Sequence, residues 1–142
     1  MIETRLDKNF KIKGFFDEET STISYVVYDI TSKKCAVIDS VLDFDFSSGT
    51  IDYYNAEKII SYIEKMKLDL EWLIETHVHA DHLSASPYIQ KKLGGKIGIS
   101  EKISDIQNIF GKTFNAGTEF QRDGSQFDRL FKDNDEYKIG SI

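Results

Sequence analysis

The run Glu71-Trp72-Leu73-Ile74-Glu75-Thr76 leads without a break into His77-Val78-His79-Ala80-Asp81-His82, and this junction decides the fold. The first six residues read as a short strand and the second six as the loop that leaves it. All three histidines of the chain lie in that loop. In an extended segment alternate side chains share a side, so His77, His79 and Asp81 can converge on one point, while His82 turns away with the chain. On this reading His77 and His79 form half of one metal site, and Asp81 with His82 begins a second. Imidazole and carboxylate donors suit zinc, iron(II) or manganese. H-x-H-x-D-H at a strand-to-helix junction is a metal cluster rather than a chance gathering on a polar loop. The helical H-E-x-x-H arrangement is absent, which argues against a zincin protease.

Upstream of the junction, Ile59, Ile60, Ile63 and Met66 fall on one stripe, which predicts a helix running to about Lys67 with Asn55 as its N-cap. Before it lie three strand-like runs, residues 10–16, 22–30 (TISYVVYDI) and 35–41, which read as an antiparallel meander. Residues 43–52 read as a polar connection that turns at Ser47-Ser48-Gly49. Asp39, at the end of the third strand, either supports a histidine ligand from behind or caps a turn.

Downstream, Ser84 or Ser86 caps a second helix, with Pro87 in its first turn and Gly94-Gly95 at its end. Residues 96–99 read as a strand. Ser100 then caps a third helix carrying Ile103, Ile106, Ile109 and Phe110. Residues 112–130 show no sustained period, and Phe114, Phe120, Phe127 and Phe131 are read as pinning that stretch to the core, ahead of the alternative that they line a substrate pocket. Tyr137-Lys138-Ile139 begins one more strand. A meander followed by αβαβα predicts a layered α/β or α+β fold with helices covering a sheet.

Bulk properties narrow the function classes. The chain has 142 residues, enough for one domain with a modest core. A net charge of −6 leaves no basic footprint, so nucleic acid and anionic membranes are not expected partners. No apolar run has the length of a membrane span, and residues 1–5 lack the apolar core of a signal peptide. The single cysteine, Cys35, sits in an apolar strand run, so a buried structural thiol in a reducing cytoplasm is expected. Asp133-Asn134-Asp135-Glu136 carries Lys138 where a calcium loop needs glycine, and reads as a solvated turn. Every histidine belongs to the cluster, so no Ser-His pair is evident.

Thr76-His77-Val78-His79-Ala80-Asp81-His82 resembles the signature of the metallo-β-lactamase superfamily. Residues 41–45 (VLDFD), 82–88 (HLSASPY), 110–117 (FGKTFNAG) and 123–128 (DGSQFD) resemble one branch of it. That branch contains the persulfide dioxygenases and the β-lactamase hydrolase-like proteins, relatives of glyoxalase II. The resemblance implies an α+β fold, the αββα sandwich, with the metal site at the edge of two sheets. It implies His77, His79, Asp81 and His82 as metal ligands, with Asp81 also the catalytic carboxylate. Dioxygenase members bind iron(II) and oxidise glutathione persulfide, or a similar thiol persulfide, to sulfite. Glyoxalase II-type members bind one or two Zn(2+) ions and hydrolyse glutathione thioesters. The family's further histidine, in a Pro-Gly-His-Thr segment, and its bridging aspartate have no counterpart before Ile142. Residues 1–142 are therefore expected to be the N-terminal portion of one such domain, inactive by itself and binding metal weakly. Half a sandwich should expose apolar strand faces and an unpaired edge, which favours a homo-oligomer or association with another chain. A third reading is a non-catalytic metal-binding or interaction module.

Overall fold

The computed structural model describes residues 9–45, 47–77, 83–105 and 127–142. Nine strands and two helices follow in the order β1 (Phe10–Asp17), β2 (Thr22–Asp29), β3 (Lys34–Ile38), β4 (Val41–Asp45), β5 (Thr50–Asp52), α1 (Tyr54–Lys65), β6 (Asp69–Ile74), β7 (Leu83–Ser84), α2 (Ser86–Leu93), β8 (Lys96–Ser100) and β9 (Arg129–Phe131) among the described residues. They form a six-stranded sheet, β1-β2-β3-β6-β8-β9, and a three-stranded sheet, β5-β4-β7. The first three strands of the larger sheet are the antiparallel meander read from sequence. From β3 onward the pairing is parallel. Parallel neighbours need a crossover, and α1 and α2 lie in those crossovers.

One face of the large sheet carries the core. The register aligns Val26 with Val37, Val37 with Leu73, and Leu73 with Ile97, so four strands contribute one continuous apolar row. Ile59, Ile60 and Ile63 of α1 and Ile89 of α2 close on that row, and all are buried. Full burial of such a side chain contributes about 1.5–3 kcal/mol. Cys35 belongs to the same cluster, and burial, with Asp69 and Glu71 adding to it, pushes its thiol up to about 12. It is the inert structural cysteine expected.

The opposite face is apolar as well but, among the described residues, is not covered along its β1–β2 end. Phe16 pairs with Ile23, and Ile12 lies two pairs along on the same face. Ile12 is 58% exposed and Phe16 54%, with Ile23 and Tyr25 also exposed. Further across, Trp72, Phe131 and Tyr137 cluster with ring centroids 5.3–5.6 Å apart. Apolar strand surface is thus exposed at β1, an edge strand among the described residues.

Several sequence expectations are corrected. The third strand does not run to Val41. Asp39 adopts the left-handed region (φ 54°), which ends the extended run, and Val41 starts a strand in the other sheet. The polar connection of residues 43–52 is a β4–β5 hairpin, its turn placed as expected. Asn55 is not the N-cap; Tyr53 holds that position, with no side-chain cap bond of its own. The Asp43 carboxylate takes over by accepting the Asn55 backbone N–H at 2.8 Å. Ala85 stands at the N-cap of α2, and the Ser84 hydroxyl accepts the Ser86 N–H at 3.1 Å. Residues 137–139 form no strand, because Gly140 turns the chain at φ 60° and Ile139 exchanges backbone hydrogen bonds with Ile142 instead. β9 was not expected; its three residues gain their strand character from pairing with β8. Of the third helix, residues 103–105 are helical, and Ile106, Ile109 and Phe110 lie outside the described residues, as do Phe114 and Phe120. Among the described residues no helix is long and apolar enough to cross a membrane.

Candidate metal centre

Strand β6 ends at Ile74 in the middle of the large sheet, flanked by β3 and β8. Glu75 and Thr76 follow, and His77 is exposed just beyond the strand end. Loops at strand ends on a rigid sheet are where functional groups collect. His79, Asp81 and His82, three of the four expected ligands, lie outside the described residues, and His77 lies within them. Among the described residues no group of three His, Cys, Asp or Glu is arranged to hold a metal.

The surroundings of His77 are informative. The Asp39 carboxylate accepts the Thr76 backbone N–H at 2.8 Å and the Thr76 hydroxyl at 2.6 Å. The Thr76 oxygen lies 2.8 Å from His77 Nδ1. A threonine hydroxyl has a single hydrogen, and here the Asp39 carboxylate accepts it. Toward the ring, then, the Thr76 oxygen accepts, and Nδ1 carries the hydrogen. In a neutral ring this leaves the lone pair on Nε2, one of the two nitrogens through which a histidine can hold a metal. The donor chemistry of His77 fits a metal. Of the two readings of Asp39, support for the histidine segment is the one this geometry realises. Asp39 is itself held by its backbone: its N–H donates to Ile74 at 2.9 Å and its carbonyl accepts the Ser24 hydroxyl at 2.7 Å.

The far end of the segment is tied to the same place. Val41 and Leu42 of β4 pair with Ser84 and Leu83 of β7. The Ala85 N–H donates to the Ser40 carbonyl at 3.3 Å. Glu75, only 5% exposed, accepts hydrogen bonds from the hydroxyls of Ser84 and Ser86. Sequence reasoning gave Glu75, Thr76 and Ser40 no role. The one available signal was an acidic residue ending an otherwise apolar strand run.

Residues 18–138 match the metallo-beta-lactamase superfamily. A probable metallo-hydrolase of Burkholderia pseudomallei is 48% identical over 131 residues, which cover 92% of this chain and 45% of that protein. Glyoxylase B2 of Dictyostelium discoideum is 39% identical over 133 residues, covering 93% of this chain and 46% of that one. The crystal structure of ETHE1 from Myxococcus xanthus superposes with a TM-score of 0.64 at 21% identity, over 92% of this chain and 44% of that one. The Bos taurus persulfide dioxygenase of the same name is 24% identical over 96 residues, covering 68% of this chain and 34% of that one. The chain spans between about a third and a half of the length of the curated relatives it matches. With a mixed sheet backed by helices, a histidine segment leaving its central strand, and a family match over most of its length, this chain belongs to the metallo-β-lactamase superfamily.

Proposed function

We propose that this chain carries the first ligand segment of a metal-dependent enzyme that oxidises a low-molecular-weight persulfide such as glutathione persulfide. The observation that supports this reading most is the Asp39–Thr76–His77 hydrogen-bond series, which orients the imidazole through Nδ1 and leaves Nε2 as its electron-pair donor. His77, His79, Asp81 and His82 are the proposed ligands, with iron(II) the proposed ion and zinc the alternative. When bound, iron(II) supplies open coordination positions for sulfur and dioxygen. In the overall reaction persulfide, dioxygen and water give thiol, sulfite and two protons, so the outer sulfur is oxidised and dioxygen is reduced. Asp81 is the proposed catalytic carboxylate. Residues 1–142 are read as the N-terminal portion of the family domain, with the apolar β1–β2 face the surface through which the chain associates. A reducing cytoplasm is consistent with Cys35 as a free, buried thiol.

The second reading is a hydrolase of glutathione thioesters, favoured by the 48% identity to a probable metallo-hydrolase. Metal analysis after anaerobic purification separates the two, performed on the longest natural polypeptide that contains this sequence. One equivalent of iron with oxygen uptake on glutathione persulfide is expected. Two equivalents of zinc with thioester hydrolysis and no oxygen uptake would transfer the assignment to the hydrolase.

A further inference from the structure

We propose that a second copy of this chain pairs antiparallel along the outer edge of β1, with Gly14 of both copies on the twofold axis between them. The inference rests on the association reading above and deepens it, and it is independent of the metal and of the reaction.

Among the described residues β1 ends the six-stranded sheet and has β2 as its partner. Its backbone pattern shows which groups face outward. The Ile30 N–H donates to the Asn9 carbonyl at 2.8 Å, and the next two residues, Phe10 and Asp29, lie opposite each other. Asn9 and Ile30 are therefore a hydrogen-bonded pair, and such pairs alternate along an antiparallel ladder. Lys11, Lys13, Phe15 and Asp17 thus turn their backbone groups toward β2. Ile12, Gly14 and Phe16 turn theirs out from the edge, where they can bond another strand.

Two identical strands can join only where outward residues meet outward residues, so the axis must pass through a residue. Charge then separates the registers. With the axis at Ile12 or at Lys13, lysine faces lysine, which is destabilising. With the axis at Phe15, the pairing shrinks to residues 13–17 and Ile12 meets Glu18. The axis at Gly14 uses residues 11–17, and its pairs match. Lys11 faces Asp17, Ile12 faces Phe16, and Lys13 faces Phe15. Within one strand Lys13 already lies over the Phe15 ring at 5.9 Å, and the pairing sets the same attraction across the axis.

The side chains agree with this register. Ile12 and Phe16 are each more than half exposed, and they share the face away from the helices with Ile23 and Tyr25. Pairing lays Ile12 of each copy beside Phe16 of the other and joins two apolar patches into one. Lysines on an edge ordinarily discourage strand addition. Here they disfavour the neighbouring registers and suit the one centred on Gly14. The sheet's other edge among the described residues, β9, has three residues, too short for a comparable ladder.

Sedimentation and disulfide trapping of the chain test the pairing, with a monomer–dimer equilibrium expected. Gly14→Pro removes both backbone bonds on the axis and none of the β1–β2 ladder, and edge strands tolerate proline at such positions. The dimer dissociation constant should rise roughly tenfold or more. A β-carbon at Gly14 would meet Ile23 and Tyr25 at 3.6 and 3.9 Å, ordinary contact, so the position accepts a side chain. Gly14→Cys should therefore trap the dimer on mild oxidation, because Cα atoms of such a pair lie about 5.5 Å apart, within disulfide reach. Lys13→Cys, set off the axis, should not. Cys35 is buried and does not compete. A dimer that Gly14→Pro leaves intact would overturn the pairing alone, as would one trapped by Lys13→Cys in preference to Gly14→Cys. Should Gly14→Pro fail to fold, the trapping comparison decides. A chain that stays monomeric at every concentration would overturn the association reading, and the pairing with it.

Discussion

Asp39 and Thr76, thirty-seven residues apart in sequence, meet twice: one carboxylate accepts both the backbone N–H and the hydroxyl of the threonine. The second bond sets the direction of the next one, from His77 Nδ1 to the Thr76 oxygen. Asp39→Asn tests this series cleanly. Asparagine tolerates the left-handed backbone at φ 54°, so the fold is retained while the charge is lost. Zinc affinity is expected to fall roughly tenfold. Asp39→Ala should add about 1–2 kcal/mol of destabilisation from the backbone alone. Isothermal titration beside thermal melts separates the two effects, and an Asp39→Asn chain with unchanged affinity would count against the relay.

Gly140 supplies the second prediction. It sits at φ 60°, and a Cβ there would lie 2.0 Å from the Ser32 hydroxyl oxygen and 2.7 Å from an Asp29 carboxylate oxygen. Gly140→Ala therefore meets both a backbone penalty and a collision. The left-handed conformation alone costs about 1–2 kcal/mol, and the displaced turn also loses the bonds from Ser141 to Asp29. A fall of several degrees in unfolding temperature is expected, measured by circular dichroism. An unchanged melt would show that the 139–142 turn contributes little.

How much of this was legible beforehand differs between the metal segment and its supports. The histidine cluster, the meander and the buried stripe of α1 follow from local pattern, since Ile59, Ile60 and Ile63 recur at helical spacing and β2 is rich in β-branched and aromatic residues. The supports of the site were mostly hidden because they depend on distant pairs. The sequence leaves Asp39 two roles, and only its distance to Thr76 decides between them. Glu75 and Ser40 acquire meaning through partners that no spacing rule connects. Likewise Arg129–Phe131 becomes a strand by lying beside β8, and Asn55 yields its cap role to Asp43 from another strand. Local periodicity reports what a segment buries, and the identity of its cross-chain partner lies beyond that signal.

Asp29 makes the third prediction, one of pH. Its side chain is enclosed, and the Ser141 hydroxyl and N–H, then the Ser32 hydroxyl, hold its carboxyl far below the ordinary range, with burial opposing them and the Thr31 N–H assisting. A carboxylate whose folded pKa is depressed contributes stability above its unfolded value, near 3.8, and loses that contribution as pH falls toward the folded value. Urea midpoints of wild type should thus exceed those of Asp29→Asn at neutral pH. The gap should narrow steadily once the pH drops below about 4. A gap that stays constant down to the acid limit of the native state would contradict the assignment.

The exposed face of the edge strand gives the last. Phe16 on β1 lies directly across from Ile23 on β2, and with Ile12 and Tyr25 they form an apolar surface on the sheet face opposite the helices. Monomeric proteins seldom leave such a patch on an edge strand, where unpaired backbone groups add a second mode of association. We expect the chain to self-associate, with its sedimentation coefficient rising over roughly a hundredfold concentration range. Phe16→Lys together with Ile23→Glu should reverse this. Both place a charge in solvent, opposite charges face each other across the pair, and exposed substitutions of this kind usually alter stability by about 0.5 kcal/mol or less. Loss of association at unchanged unfolding temperature would locate the contact on this face. Association that persists in the double variant would place the contact elsewhere and leave the apolar face as surface that water simply tolerates.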